Sequence, residues 1–225
     1  MFKKIIIGFR SFLLTQYYGF LLKNEKKDLN KKILRIDFAS KILNLLNITV
    51  KYKNLDKLPQ NGKFLILINH RSVIDPLIIE LLFENSNIYG HWVAKKELYN
   101  SPFFGIFVRN AGTILVDREK SEMSSFFKDI RNTINNDKSV LMFPEGTRNK
   151  DNNLTLAEFK KGANIIALKN KINILPIFIE EKTDLIVKNF FDNNLKQNIN
   201  VNIGDIILYN ERNIEQKYIE NFNLN

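Results

Sequence analysis

Residues 64–83 read FLILINHRSVIDPLIIELLF, and this stretch decides the fold. Phe64–Ile68 is a short unbroken apolar run, the length that a buried strand takes. Asn69 to Ile74 is a polar turn. Asp75-Pro76 then opens a helix through Phe83, with Asp75 at the N-cap and Pro76 as the first helical residue. The same alternation continues downstream. Ile88–Ala94, Gly112–Val116, Val140–Phe143 and Ile172–Ile179 read as strands. Ser101-Pro102 to about Arg109, Ser121 to about Asn135, and Ala157–Lys169 read as helices, with a polar loop at Pro144–Thr155. In the tail, Leu185–Val187 and Val201–Leu208 look strand-like, and the asparagine-rich Phe190–Asn202 reads as a surface loop. Ile214–Phe222 reads as a last polar helix. Strand–helix alternation of this kind predicts an α/β fold, with a central mostly parallel or mixed sheet flanked by helices.

Two helical patterns precede the alternating region, Phe2–Leu22 and Lys31–Leu46, separated by the charged turn Asn24–Asn30. At about 100° per residue, Phe2, Ile5, Ile6, Phe9, Phe12, Leu13 and Phe20 gather on one side of the first helix. Lys3, Lys4, Arg10, Ser11 and Thr15 gather on the other. No clean run of ~20 apolar residues supports a spanning helix. Arg10 and the lack of a small-residue cleavage site argue against a signal peptide. The apolar stripe fits a helix lying in a membrane interface, and it fits equally a helix packed on this protein's own core. The expected organisation is a helical, membrane-associating segment over residues 1–47 and one α/β domain over residues 48–225.

Composition narrows the chemistry. Of 225 residues 44% are hydrophobic, enough for a sizeable core. The chain has no cysteine, which excludes a disulfide scaffold, thiolate catalysis and cysteine-ligated zinc. His70 and His91 are the two histidines, too few for a multi-histidine metal site. The formal charge of +10 favours an anionic partner: nucleic acid, a phosphate-bearing metabolite or an acidic membrane surface. A lysine- and asparagine-heavy composition without functional meaning would give the same sum. Nucleic acid is disfavoured, because no helix-turn-helix, zinc-finger or RRM-type pattern occurs and the basic residues are scattered.

In an alternating α/β sheet, reactive residues gather just past the carboxyl ends of strands. Three strand exits here are polar: NHRSVID (Asn69–Asp75), Asp117-Arg118, and FPEGTR (Phe143–Arg148). His70 is a candidate general base, and Asp75 could hold its second ring nitrogen if the turn folds back. Arg118 and Arg148 offer planar forks of donors for phosphate. Lys95 and Lys96, after the strand ending at Ala94, add a third basic element on the same edge. Gly146 and Thr147 contribute backbone N–H groups and a hydroxyl, and N–H groups near Gly146 are candidate donors to an oxyanion. Glu145 reads as an orienting acid within the same substrate-binding loop. His91 sits mid-strand with no acid at short spacing and reads as structural. No metal-ligand cluster is visible.

With these residues in view, the chain resembles the 1-acyl-sn-glycerol-3-phosphate O-acyltransferases of the glycerolipid acyltransferase superfamily. NHRSVID with its HxxxxD spacing, GTILVDR (Gly112–Arg118), FPEGTR and ILPIFI (Ile174–Ile179) stand in that family's order across about residues 63–180. AKKEL (Ala94–Leu98) and FKKGA (Phe159–Ala163) are similar to its linking segments. Leu115 and Val116 depart mildly from the Phe-Ile type pair that the family often shows. The resemblance implies fatty acyl transfer from acyl-ACP or acyl-CoA to the free hydroxyl of a lysophospholipid acceptor, 1-acyl-sn-glycerol 3-phosphate, without a cofactor or metal. It implies His70 as base, Asp75 as its partner, and Arg118, Arg148 and Lys95 as phosphate ligands. It also implies work at the cytoplasmic face of the cell membrane, as a peripheral or monotopic protein on an anionic surface. The same chemistry on glycerol 3-phosphate, another lysophospholipid or a lyso-aminolipid would leave the catalytic pair unchanged.

Overall fold

The structure is a computed structural model, and it describes residues 2–117, 123–193 and 196–224. Two helices lead, α1 (Phe2–Asn24) and α2 (Asp28–Leu45). Then follow β1 (Ile48–Lys53), β2 (Leu65–Ile68), α3 (Asp75–Leu82), β3 (Gly90–Lys95), α4 (Gly105–Asn110), β4 (Ile114–Val116), α5 (Ser124–Asn135) and β5 (Ser139–Met142). The chain closes with α6 (Gly162–Asn170), β6 (Ile174–Ile179), α7 (Thr183–Asn193), β7 (Gln197–Ile203) and α8 (Ile214–Phe222). The strands form one mixed sheet in the order β1-β7-β6-β2-β5-β3-β4. Every adjacent pair is parallel except β6 with β7. The expected fold class holds, with the two leading helices in place.

The period-2 pleat divides the core into two layers. Ile66 and Ile68 of β2 face one layer, with Ile78 and Ile79 of α3 and Phe38, Ile42 and Leu43 of α2. Leu65 and Leu67 face the other, with Ile130 of α5, Ala163 and Ile166 of α6, and Tyr218 of α8. β2 is buried on both faces, which is why its sequence is a continuous apolar run rather than an alternation.

Several boundaries differ from expectation for identifiable reasons. Leu185–Val187 is not a strand: it lies within α7, where Ile186 and Phe190, four residues apart, bury one helical face. Phe190–Asn202 is not a surface loop. It contains the end of α7 and most of β7, where Ile199, Val201 and Ile203 are buried between more exposed asparagines. The asparagines masked a half-buried strand. Of the expected strand Val201–Leu208, only Val201–Ile203 belongs to β7, and Ile207 makes a lone bridge to Ile174. The helix expected from Ala157 begins at Gly162, because the N–H groups of Ala157 and Lys160 bond back to Glu145 and to the Pro144 carbonyl. The helix expected from Ser101 begins at Gly105, after a 3-10 turn over Lys96–Asn100. The expected cap Ser121 lies outside the described residues. β1 has no counterpart in the sequence reading.

The face that α1 presents is the notable correction. Lys4–Asn24 is long and apolar enough to cross a membrane, although no clean apolar run marked it in the sequence. It packs on α4 and α2 through Ile7, Thr15, Tyr18 and Leu22, which are buried. Gln16 donates to the Phe103 carbonyl at 3.0 Å. The stripe Ile5, Ile6, Phe9, Leu13, Tyr17 and Phe20 points away from the protein and is exposed. Of the expected stripe, Phe12 packs on Phe103 at 5.6 Å between ring centroids, whereas Ile5, Ile6, Phe9, Leu13 and Phe20 are not packed on the protein's own core.

Candidate active site

β2, β5, β3 and β4 are parallel neighbours, so their carboxyl ends share one edge of the sheet. β2 delivers Asn69–Asp75 to that edge, β5 delivers Phe143–Arg148, and β3 ends at Lys95. Asn69 fixes the exit of β2. Its carboxamide donates to the Ile179 carbonyl at 2.9 Å and accepts from the Ile179 N–H at 2.8 Å, tying the turn to the end of β6.

The turn then closes on Asp75. Its Oδ2 accepts the backbone N–H groups of Arg71 and Ser72, each at 2.7 Å, and lies 2.8 Å from His70 Nδ1. Its Oδ1 accepts from Thr183 Oγ1 at 2.6 Å. Asp75 is fully buried. The N-cap of α3 is Ile74 and it makes no side-chain cap bond, so Asp75 is the first helical residue rather than the cap. Its carboxylate is turned back on the preceding turn. An acceptor already holding two N–H donors at Oδ2 calls for a third donor from the ring, which places the imidazole proton on Nδ1. Nε2 then carries the free lone pair. Among the described residues no group bonds Nε2, and the His70 side chain keeps 17% of its exposure. Phe143 stacks on the imidazole, 3.8 Å between centroids and 11° between planes, so the ring is fixed in both azimuth and tilt.

The backbone of His70 is held as tightly as its ring. Its N–H donates to Glu145 Oε1 at 2.6 Å, and its carbonyl accepts the Asn149 N–H at 2.7 Å. Glu145 Oε2 accepts the Ala157 N–H at 2.8 Å. Burial pushes the Glu145 carboxyl up to about 7, against the lowering effect of those two backbone donors. Both Glu145 oxygens are bonded to backbone inside the protein, an arrangement that orients the loop. Gly146 has φ of +72°, in the left-handed region that favours glycine. Its N–H donates to the Phe143 carbonyl at 3.0 Å, so this donor closes the turn and is not open to an oxyanion.

Thr147 and Arg148 follow on the exposed rim, and Lys95 is exposed at the end of β3. Neither Arg148 nor Lys95 has an ion-pair partner among the described residues. β3 is two strands from β2, about 10 Å at the usual ~4.8 Å spacing. Lys96 pairs with Asp117 at 3.1 Å. Arg118 lies outside the described residues. Among the described residues no group of three or more His, Asp or Glu side chains could hold a metal ion.

Two supporting residues were missed by sequence reasoning. Arg71 is buried, with Nε on Asp184 Oδ1 at 3.1 Å and its terminal nitrogens on the Asp151 carbonyl at 3.0 Å and Asn152 Oδ1 at 3.2 Å. It clamps the loop after FPEGTR to the His70–Asp75 turn and to α7. Its place next to His70 was the available signal. Thr183 carried none, because it reaches Asp75 across 108 positions of chain. His91 lies on the same sheet but away from this edge, paired with Val140 at the start of β5. It contacts Thr133 at 3.4 Å, and burial holds its imidazole down to about 4.

With this geometry in hand, the chain can be set beside known proteins. A model of the Acyltransferase family matches residues 49–180. The 1-acyl-sn-glycerol-3-phosphate acyltransferase of Helicobacter pylori is 39% identical over 129 residues, 56% of this chain and 53% of that protein. The Saccharomyces cerevisiae protein of the same name is 32% identical over 147 residues, 63% of this chain and 46% of that protein. The matched region thus spans about half the length of these curated relatives. The crystal structure of the 1-acyl-sn-glycerophosphate acyltransferase PlsC from Thermotoga maritima superposes with a TM-score of 0.68. That superposition covers 99% of this chain and 95% of that one at 20% identity, and it establishes a shared fold.

Proposed function

The chain belongs to the acyltransferase family, and from that premise we propose that it transfers a fatty acyl group from a thioester to the free hydroxyl of 1-acyl-sn-glycerol 3-phosphate, giving phosphatidic acid. The single observation that carries the reading is the His70–Asp75 pair: an imidazole whose Nδ1 is anchored on a four-donor carboxylate and whose Nε2 is free. Nε2 takes the proton of the acceptor hydroxyl as its oxygen attacks the thioester carbonyl carbon. The tetrahedral intermediate collapses, the C–S bond breaks, and the imidazolium returns its proton to the departing sulfur. The products are an ester and a free thiol, with His70 restored. A positioned base supplies roughly 10²–10⁴-fold, and the rest comes from orientation and oxyanion stabilisation.

Arg148 and Lys95, with Arg118, hold the acceptor phosphate. Among the described residues the first two have no ion-pair partner, which supports this, because an acidic neighbour would compete with the ligand. The donor is acyl-ACP or acyl-CoA. Residues 1–47 associate with the cytoplasmic face of the membrane. The exposed stripe of α1 enters the interface while the opposite face of the helix stays on the protein, and cations nearby favour an anionic leaflet. The acceptor and product, both lipids, then meet the site without leaving the bilayer surface.

The test is incubation of the full chain with acyl-CoA or acyl-ACP and a panel of lysolipids, followed by mass spectrometry of the lipids. Phosphatidic acid is the expected product. Acylation of glycerol 3-phosphate or of a lyso-aminolipid, with lysophosphatidic acid left untouched, would replace the acceptor assignment.

A further inference from the structure

Phe143 has a second aromatic neighbour. Trp92, the only tryptophan in the chain, lies 5.2 Å from Phe143 between ring centroids, at 27° between planes. The sheet order β2-β5-β3 puts Phe143, just past β5, between His70 past β2 and Trp92 on β3. The three rings therefore run across the sheet as one stack. The far end of the stack is tethered by a hydrogen bond. Trp92 Nε1–H donates to Glu80 Oε1 at 2.7 Å. Glu80 belongs to α3, the helix that begins with Asp75, and its carboxylate is paired with Arg35 of α2 through Nε at 3.0 Å. Arg35 also donates to the carbonyls of Gly90 at 2.7 Å and Ala111 at 3.3 Å, so it holds the start of β3 as well. Both members of the Arg35–Glu80 pair are buried. Breaking such a pair leaves an uncompensated charge, so the tether is stiff.

We propose that Trp92 is a positioning residue for the acyl transfer. Held by Glu80 and Arg35, it backs Phe143, and Phe143 sets the plane of the His70 imidazole. Asp75 fixes one nitrogen of that ring but leaves it free to tilt about the Nδ1–Oδ2 line. The stack removes that tilt and aims Nε2 at one point. The N-terminal helix pair is by this route part of the scaffold of the base, through Arg35. The inference rests on the reading of His70 as that base.

The test uses the full chain with Trp92→Leu and Trp92→Phe, read by steady-state kinetics and by the ring-proton resonances of His70. Only two histidines contribute to that spectral region, and the His70→Ala chain assigns them. Trp92→Leu is expected to lower kcat about tenfold, a part of the ~10²–10⁴ that a positioned base supplies, with KM for both substrates within about twofold. Trp92→Phe, which keeps a ring at this position, restores most of that loss. The His70 resonances, shifted upfield by the stacked ring in the parent chain, move downfield in Trp92→Leu and return in Trp92→Phe. Unchanged kcat or unchanged resonances in Trp92→Leu would overturn the proposal, as would a change in KM alone or a loss that Trp92→Phe does not repair. If the leucine variant does not fold, Trp92→Met, nearer in volume and not aromatic, is judged by the same criteria. A parent chain that transfers no acyl group would sink the functional reading instead, and the resonances would still decide whether Trp92 positions the ring.

Discussion

Asp75→Asn isolates the electrostatic part of the site. The amide oxygen can take the place of Oδ2 and keep accepting from His70 Nδ1 and from the N–H groups of Arg71 and Ser72. The amide nitrogen then faces Thr183, whose hydroxyl can turn to accept it. The ring keeps its orientation and the turn keeps its shape. What disappears is the negative charge that, in the proposed mechanism, stabilises the imidazolium formed during attack. Nδ1 and Oδ2 are 2.8 Å apart, and delocalisation puts the two charge centres at about 4 Å. At an effective dielectric of about 20 that interaction is about 4 kcal/mol. At 1.36 kcal/mol per decade it corresponds to at most about 10³ in rate. The expected result is a kcat lowered about 10²–10³-fold for transfer to lysophosphatidic acid, with KM little changed and a melting temperature close to that of the parent. Product would be followed by mass spectrometry under saturating donor. A variant within roughly threefold of the parent kcat would refute the assignment of Asp75 as the electrostatic partner of the base.

Four further expectations follow from other parts of the structure. His70→Ala abolishes transfer while His91→Ala leaves most of it, and equal losses in the two product assays would remove His70 as base. Arg148→Ala raises the KM for lysophosphatidic acid with little change in kcat, and a flat response to acceptor concentration would refute its role at the phosphate. Replacing exposed Phe9 and Phe20 of α1 by Asp should release the chain from acidic liposomes in a flotation assay, and retained flotation would contradict an interfacial α1. Stability against pH should show two opposed slopes. Glu145, raised from 4.5 to about 7, binds a proton in the folded state that the unfolded chain has lost, so stability from this group falls as pH rises between those values. His91, lowered from 6.5 to about 4, stays neutral in the folded state while the unfolded chain binds a proton, so stability from this group falls as pH drops through that window. Each slope approaches about 1.4 kcal/mol per pH unit, and they offset between pH 4.5 and 6.5. Denaturant unfolding of Glu145→Gln should expose the His91 slope and that of His91→Phe the Glu145 slope; parallel flat profiles would contradict both assignments.

The parts of the fold and site that were legible in the sequence are those carried by local pattern. Leu65–Ile68 shows an unbroken apolar run because it is buried on both faces, and the spacing of His70 and Asp75 is short enough for one turn to join them. The misread parts depend on partners far along the chain. β7 hides behind asparagines because only every second side chain faces the core. The apolar run at Leu185–Val187 carries strand-forming residues, and it becomes a helix because Ile186 and Phe190 are buried together. Thr183 on Asp75 and Glu80 under Trp92 are tertiary contacts, and nothing in a local window announces them. Gly146 and Glu145 sat in the right motif, but their use in closing and orienting the loop became visible only through the backbone groups they bond.

The strand β1 has a bearing on how the chain is born. Its lateral neighbour is β7, with Ile48 opposite Gln197, so the edge position it occupies does not exist until nearly the whole polypeptide has been made. At about 5–20 residues per second, that interval is roughly seven to thirty seconds of translation. During this delay α1 and α2 have left the ribosome with no completed sheet edge behind them. If α1 is interfacial as proposed, its greasy stripe would find lipid first, and the rest of the sheet would be assembled against helices already lodged there.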